Sequence, residues 1–591
     1  MTDPLLRAQV IPEAELPDAA AIVARGRALA AREQLGACAF LQDAGVASEA
    51  DYKRRTMAEG RIMLHAQIGY RDPAKSARAW REIHAAVAAA GGTLDRYGIC
   101  LDWSMGYPAA ARPGRPRGTG LLLRDPADFA ALTGQAPVAP HFGDFVLGMP
   151  SALENARAAL AAGASSIGNL GQYFTFRLPG WDDDVGTSEA TLEALAFLAA
   201  QPVEIIVHSN LDDGFAALFW DLACSFGAVL IERYIVEELL GGHVAHCYGH
   251  SFSQPLTRLA FQRALAVEPG SVPGSMVYGN TVSYDGGGNS NYAALASYLT
   301  VDAVAQHLAP TGHAINAVPV TEAERIPDID EVVDANLFAL RLAERAADYR
   351  PLIDLSEADR IAGQLVEGGR RFKQNLLAGF AAAGFDTRNP LEMLLAIRRI
   401  GARRLETLFG PGKPAPAAPH RRAPLVKATT IAALEKAAEK QLAGLTPAAR
   451  ARIAAAGLTV CLGATDVHEY GKILVTEILR RLQVRVLDAG IHAEPADMVA
   501  TAQTEGAQML AISTYNGIAL DYLRQIQSEM AARKLRLPLL IGGKLNQIPK
   551  DSNSSLPVDV SADLEAAGAV VCRTPGVMLE ALLHLAEERQ A

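Results

Sequence analysis

The chain has 591 residues, too many for one hydrophobic core, so two to four domains are expected. Half of the residues are hydrophobic and 20% are charged, an ordinary balance for a globular enzyme; a net charge of −10 argues against the basic face that a nucleic-acid backbone needs. No stretch approaches the roughly 20 apolar residues of a membrane span. Six scattered cysteines without a Cys-x-x-Cys pair read as thiols of a reducing cytosol. A cytoplasmic, soluble protein with no nucleic-acid or membrane partner is the expectation.

Residues 1–55 are Ala-rich and read as an N-terminal helical arm. From 56 to 330 one theme repeats: a short apolar run, a polar loop, a helical stretch. Strands are expected at 61–67, 94–101, 143–147, 165–169, 204–209, 243–248, 275–282 and 313–318. Eight strands with intervening helices predict an α/β fold of the (β/α)8 TIM-barrel type, serving as the substrate domain. Residues 331–410 read as a helical extension, and 411–425 as a Pro-rich linker. Residues 426–591 read as a separate domain, entered through one long helix over 431–456.

Chemistry in such a barrel gathers where strands end, and the expected ends are rich in hydrogen-bonding side chains. His208, Tyr173, Asn169, Gln172, Arg177, His246 and His313 are the candidate substrate contacts, and Arg71, Arg96 and Arg177 the candidate carboxylate grips. His243, His246, Cys247 and His250 have a spacing that suggests zinc. Strand alternation would turn His246 and Cys247 to opposite faces, which argues against a single four-ligand site. The Gly-rich segment 285–289 reads as a lid rather than a phosphate cradle, because no Lys-Ser/Thr follows it.

In the last domain, apolar runs near Val460, Val486, Leu510, Leu540 and Val570 alternate with helical stretches, which predicts a five-stranded, doubly wound, Rossmann-like sheet. After the first run comes Ala464-Thr465-Asp466-Val467-His468-Glu469-Tyr470-Gly471. An acid two residues before a histidine can hold one ring nitrogen while the other ligates a metal. Ser513-Thr514-Tyr515 ends the third run, Gly542-Gly543 the fourth, and Arg573-Thr574-Pro575-Gly576 follows the fifth. No Gly-x-Gly-x-x-Gly follows the first strand, which disfavours a dinucleotide site.

This order and spacing resemble the cobalamin (vitamin B12)-binding domains that take the cofactor with its own base displaced and a protein histidine on cobalt. The resemblance implies His468 as the cobalt ligand and Asp466 as its partner. It also implies Glu469, Gly471, Ser513, Tyr515, Gly542, Gly543 and Thr574 as cofactor contacts; Tyr515 stands where the family has Leu. The stretch 203–319, with the Tyr248-Gly249 pair, is similar to the large subunit of glutamate mutase (methylaspartate mutase). That family's substrate-gripping arginines are replaced here by Gly69, Ser104 or Met105, and His141, so a substrate other than glutamate is implied. Together the two likenesses imply an adenosylcobalamin-dependent carbon-skeleton mutase, a radical isomerase of a small organic acid, working as a homodimer. A corrinoid-dependent methyltransferase with its substrate in the barrel is the alternative; that class places a compact helical bundle before the cobalamin domain, which the single expected helix does not match.

Overall fold

A computed structural model describes residues 5–115, 118, 120–212, 219–268, 270, 273–279, 284, 287–322, 325–416, 418, 420–465, 470–491, 493–515, 517–547 and 558–589. The contacts divide the chain into two compact units, one of 1–176, 182–213 and 217–429, the other of 177–181, 214–216 and 430–591.

The first unit is built on eight parallel strands: β1 (Met63–Ile68), β2 (Arg96–Ile99), β3 (Ala139–Phe142), β4 (Ser166–Ile167), β5 (Ile206–Asn210), β6 (His243–Tyr248), β7 (Met276–Val277) and β8 (Ala314–Asn316). Their order is β7-β6-β5-β4-β3-β2-β1-β8, so β1 to β7 follow one another in sequence across the sheet and β8 returns to pair with β1. The sheet curls until its edges meet. Gly274 N–H donates to Thr311 O at 2.6 Å, and the Thr311 hydroxyl to Ser275 O at 2.7 Å, just ahead of β7 and β8. A β7–β8 ladder is absent among the described residues, so the expected (β/α)8 barrel is observed as a curled parallel sheet.

Helices cover the outer face because their apolar residues recur at helical spacing. In Pro73–Ala89, Asp72 caps the first turn through Ala74 N–H (2.8 Å), and Trp80, Ile83 and Val87 are fully buried. Burying each such side chain contributes roughly 1.5–3 kcal/mol. Tyr97 on β2 points into this layer and donates to Trp80 O at 2.7 Å.

Several expectations change. The third strand lies at 139–142, not 143–147. Pro140 hid it, since a proline inside a strand forfeits a ladder donor and reads as a breaker. The 143–147 segment instead turns, with Phe145 at φ 58°. The Pro-rich segment is held against the first unit rather than hanging as a spacer. Arg422 donates to Thr407 O, Leu408 O and Gly412 O, and the Asp221 carboxylate accepts from Leu425 and Val426 N–H at 2.9 and 3.1 Å.

The second unit carries β9 (Thr459–Ala464), β10 (Arg485–Asp488), β11 (Met509–Thr514), β12 (Leu539–Gly543) and, after the small antiparallel pair β13 (Asn546–Gln547) and β14 (Val558–Asp559), β15 (Val570–Cys572). The order β10-β9-β11-β12-β15 reverses direction between β9 and β11. Apolar clusters cover both faces, one around Ile512, Leu523, Ile526 and Ile541, the other around Val460, Ile478, Leu540 and Leu582. The single helix expected over 431–456 is two, Thr429–Leu442 and Pro447–Ala455. Gly444 loosens the chain, the Thr446 hydroxyl caps the second helix through Ala449 N–H (3.2 Å), and Pro447 occupies its first turn.

Candidate functional site

Register decides which strand residues of the first unit share the inner face. His65 pairs with Arg96 and Asn316, His141 with Gly98 and Ser166, and His208 with Ala245. The His141 and His208 rings meet edge-on at 4.7 Å although β4 lies between their strands. In a flat sheet strands two apart stand about 9.5 Å from each other, so this contact is a product of the curl and marks the inner face.

At the amino end of the strands the helix Glu49–Ala58 brings charge inward. Glu49 pairs with Lys53 at 3.2 Å and with Arg96 at 2.9 Å; all three are buried. Arg96 also donates to Ser166 Oγ at 2.9 Å and reaches His65 Nδ1 at 3.3 Å. Lys53 donates to Gly312 O at 2.9 Å, and burial pulls its pKa down. Above this floor His65 Nε2 lies 3.2 Å from Gln67 Oε1, which also accepts the Tyr278 hydroxyl, while Gln67 Nε2 donates to Cys100 Sγ at 2.9 Å. Burial, reinforced by the Arg96 charge, holds His65, His141 and His208 well below the ordinary histidine pKa, so all three are neutral. The result is a polar interior with its charges paired and its imidazoles uncharged.

The sequence-predicted contacts distribute unevenly over this surface. His208 is inward, with Nε2 buried and without a partner. Asn169 follows β4 and accepts Asn210 N–H at 2.7 Å, tying two strand ends together. Gln172 accepts Phe145 N–H at 2.7 Å and so holds the turn after β3. Tyr173 is buried, its hydroxyl pushed well above the ordinary phenol value by burial, and its carbonyl accepts Arg398 at 2.5 Å. Arg177 is exposed and belongs to the 177–181 segment grouped with the second unit.

Two candidates are displaced. His246 faces outward, where its Nε2 meets buried Glu232 of the helix Leu222–Arg233 at 3.0 Å; alternation along β6 puts it opposite Ala245 and Cys247. His313 does not end a strand but precedes β8, next to the Lys53–Gly312 bond at the amino end. No cluster of three or more metal-ligating side chains occurs among the described residues. Of the three arginine candidates, Arg96 is consumed by Glu49 and Ser166, whereas Arg71, after β1, keeps a buried Nη1 without a partner. Sequence reasoning missed Glu49, Lys53, His65, Tyr278 and Asn316, whose amide is buried and unpartnered. The polar pair His65 and Gln67, two apart in an otherwise apolar strand, was the available signal.

In the second unit, open parallel sheets bind ligands outside the carboxyl ends of strands where the order reverses, here β9 and β11. Asp466, His468 and Glu469 lie outside the described residues, directly after this end of β9. Ser513 pairs with Ala464 and Gly542 across the sheet, and its carbonyl accepts Thr465 N–H at 2.9 Å. Gly471 backs onto it, and a Cβ there would come within 2.9 Å of Ser513 Oγ. Gly543 has φ 99°, and a Cβ would strike Thr514 O at 2.2 Å, so the backbone itself demands glycine. Gly542 sits against Cys572, Tyr515 is 38% exposed, and Thr574 is exposed at the N-cap of the helix Pro575–Glu588. The Thr514 hydroxyl is buried without a partner at the end of β11. These residues fit a hydrogen-bonding cofactor group at the β9/β11 end.

No protein-family model matches the chain. Over 110 residues it is 27% identical to an ethylmalonyl-CoA mutase of Cereibacter sphaeroides, a match spanning 19% of this chain and 15% of that protein. Among solved structures, a cobalamin-binding protein from Desulfitobacterium hafniense DCB-2 is 18% identical, with a TM-score of 0.20 over 26% of this chain and 70% of that one. The methanol:cobalamin methyltransferase complex of Methanosarcina barkeri is 17% identical, with a TM-score of 0.18 over 44% of this chain and 78% of that one.

Proposed function

We propose that the protein is an adenosylcobalamin-dependent carbon-skeleton mutase acting on a small organic acid other than glutamate. The observation that carries this reading is the sequence Asp466-x-His468-x-x-Gly471 leaving β9 where the strand order reverses, with Ser513 and Thr514 ending the neighbouring strand. The similarity to a curated mutase supports it. In this reading the curled sheet works as a (β/α)8 barrel that takes the substrate, and the second unit is the Rossmann-like cobalamin domain. His468 is the cobalt ligand, oriented by Asp466, and Glu469, Ser513, Tyr515, Gly542 and Thr574 border the cofactor.

Bound adenosylcobalamin supplies the homolytic carbon–hydrogen chemistry. The chain's own residues hold the substrate and keep water away. Arg71, whose Nη1 is buried without a partner, suits one carboxylate. His208, Asn169, Gln172 and Tyr173 orient the remainder through uncharged contacts, and Arg96 takes no part in gripping because Glu49 already holds it. A cytoplasmic homodimer completes the proposal.

Purified protein reconstituted with adenosylcobalamin and mixed with a panel of small acids is expected to develop a cob(II)alamin–radical spin-resonance signal with one of them. With nitrogen-15-labelled histidine, the cobalt spectrum is expected to carry the coupling of one histidine nitrogen, lost in His468→Ala. Cofactor uptake and turnover that survive His468→Ala would end the proposal.

One observation favours a second reading, a corrinoid-dependent methyltransferase. The segment leading into the second unit's sheet is two helices, Thr429–Leu442 and Pro447–Ala455, not one, which weakens the contrast with the helical bundle of that class. Turnover supported by methylcobalamin and not by adenosylcobalamin would establish it.

A further inference from the structure

Hydrogen-bond geometry on the inner face of the curled sheet fixes which ring nitrogen of each histidine carries the proton. An arginine has donors only. Arg96 Nη1 lies 3.3 Å from His65 Nδ1, so that nitrogen accepts, and the proton sits on Nε2, which donates to Gln67 Oε1 at 3.2 Å. On β3 the logic runs the other way. His141 Nδ1 lies 3.0 Å from Ser166 O, and a carbonyl only accepts, so Nδ1 carries the proton. The Ser166 hydroxyl, 3.1 Å from the same nitrogen and itself accepting from Arg96, keeps the ring in that orientation. Because the ring is neutral, Nε2 of His141 is a bare lone pair. It has no partner among the described residues. It points along the strand toward its carboxyl end, since a Cβ on Gly143 would stand 2.9 Å from it. Beside it, buried His208 Nε2 also lacks a partner.

We infer that His141 is the hydrogen-bond acceptor of the ligand site in the curled sheet, and that the ligand carries a hydroxyl or ammonium hydrogen directed at His141 Nε2. This rests on the reading that the sheet interior takes the substrate, and it narrows that substrate to an acid bearing a donor. A carboxylate alone has nothing to give a lone pair, and a lone pair at that spot repels it. His65, by contrast, spends its proton on Gln67 and is a positioning residue.

Histidine nitrogen-15 spectra of the full chain test the assignment without cobalamin, so failure here is distinguishable from failure of the cobalamin proposal. His65 is expected in the Nε2–H form and His141 in the Nδ1–H form, the two assigned by the signals that vanish in His65→Gln and His141→Gln. L-lactate or L-alanine is expected to move the His141 Nε2 resonance upfield, toward the hydrogen-bonded position, and propionate at the same concentration to leave it in place. A response to lactate alone identifies a hydroxyl ligand, and one to alanine alone an ammonium ligand. Gly143→Ala, which sets a methyl against Nε2 while keeping the Ser166 bond, is expected to abolish the response and preserve the Nδ1–H signal. Nε2 of His141 found protonated in the free protein, or a propionate response equal to those of lactate and alanine, would overturn the inference.

Discussion

The two parallel sheets of this chain keep their polar groups in opposite places. The first encloses them: Glu49, Lys53, Arg96 and three neutral histidines share its inner face. The second is covered by apolar clusters on both faces; its polar residues lie on the edge strand β10, at Arg485 and Asp488, and at the carboxyl end of β11, at Ser513 and Thr514. A curled sheet has an inside that side chains of alternate residues must fill, whereas a flat sheet between two helix layers has only its edge to spare. Under the proposed function, substitutions at the inner face of the first unit are expected to act on stability and ligand binding together, and substitutions at the edge of the second on cofactor binding with little effect on folding.

The strongest challenge to that contrast is Glu49→Ala. It leaves Arg96 and Lys53 buried without their counter-charge, and removing one partner of a buried pair costs about 3–5 kcal/mol. Denaturant unfolding is expected to show that loss in a first-unit transition alone. On the other side, Gly471→Val puts a side chain beside Ser513 Oγ, into space that the proposal gives to the cofactor, so cobalamin affinity is expected to fall about tenfold, about 1.4 kcal/mol. Titration of the cofactor absorbance checks the affinity and calorimetry the melting temperature, which is expected to move little. Equal losses in both would erase the distinction between inside and edge.

Protonation sharpens the comparison further. His65, His141 and His208 have folded pKa values well below the ordinary 6.5, so as pH falls through that value the unfolded chain binds protons that the folded chain does not. Their contribution is complete above about pH 6.5 and declines on acidification. His208→Gln is expected to make the acid limb of first-unit stability less steep below about pH 6.5, read by denaturant unfolding across pH. The smallest effect belongs to Tyr278→Phe, which removes one donor to Gln67 and is expected to cost about 1 kcal/mol in thermal unfolding.

Legibility in the sequence follows the same division. All five strands of the second sheet fall where the apolar runs near Val460, Val486, Leu510, Leu540 and Val570 stand; the central strands β9, β11 and β12 are read easily because a strand buried on both faces is apolar along most of its length. In the first unit β6 occupies 243–248 as expected, but Pro140 masks β3 in the sequence pattern, and the helical periodicity over 431–456 hides the break at Gly444 to Pro447. His246 and His313 lie near strand ends in the sequence pattern. Only the register shows one facing Glu232 and the other at the amino end of β8.

The amino-acid order by itself determined the α/β alternation, the places of most strands, and the acid–histidine–glycine spacing after β9, all of which depend on periodicity within a few residues. The tertiary structure decided which alternate residues face inward, that Arg96 is tied to Glu49 and so withheld from any ligand, and which nitrogen of His65 and His141 holds the proton. Those outcomes turn on partners such as Glu49 for Arg96 and Ser166 for His141, 47 and 25 residues away. Local periodicity carries no record of which distant group will arrive as donor or acceptor.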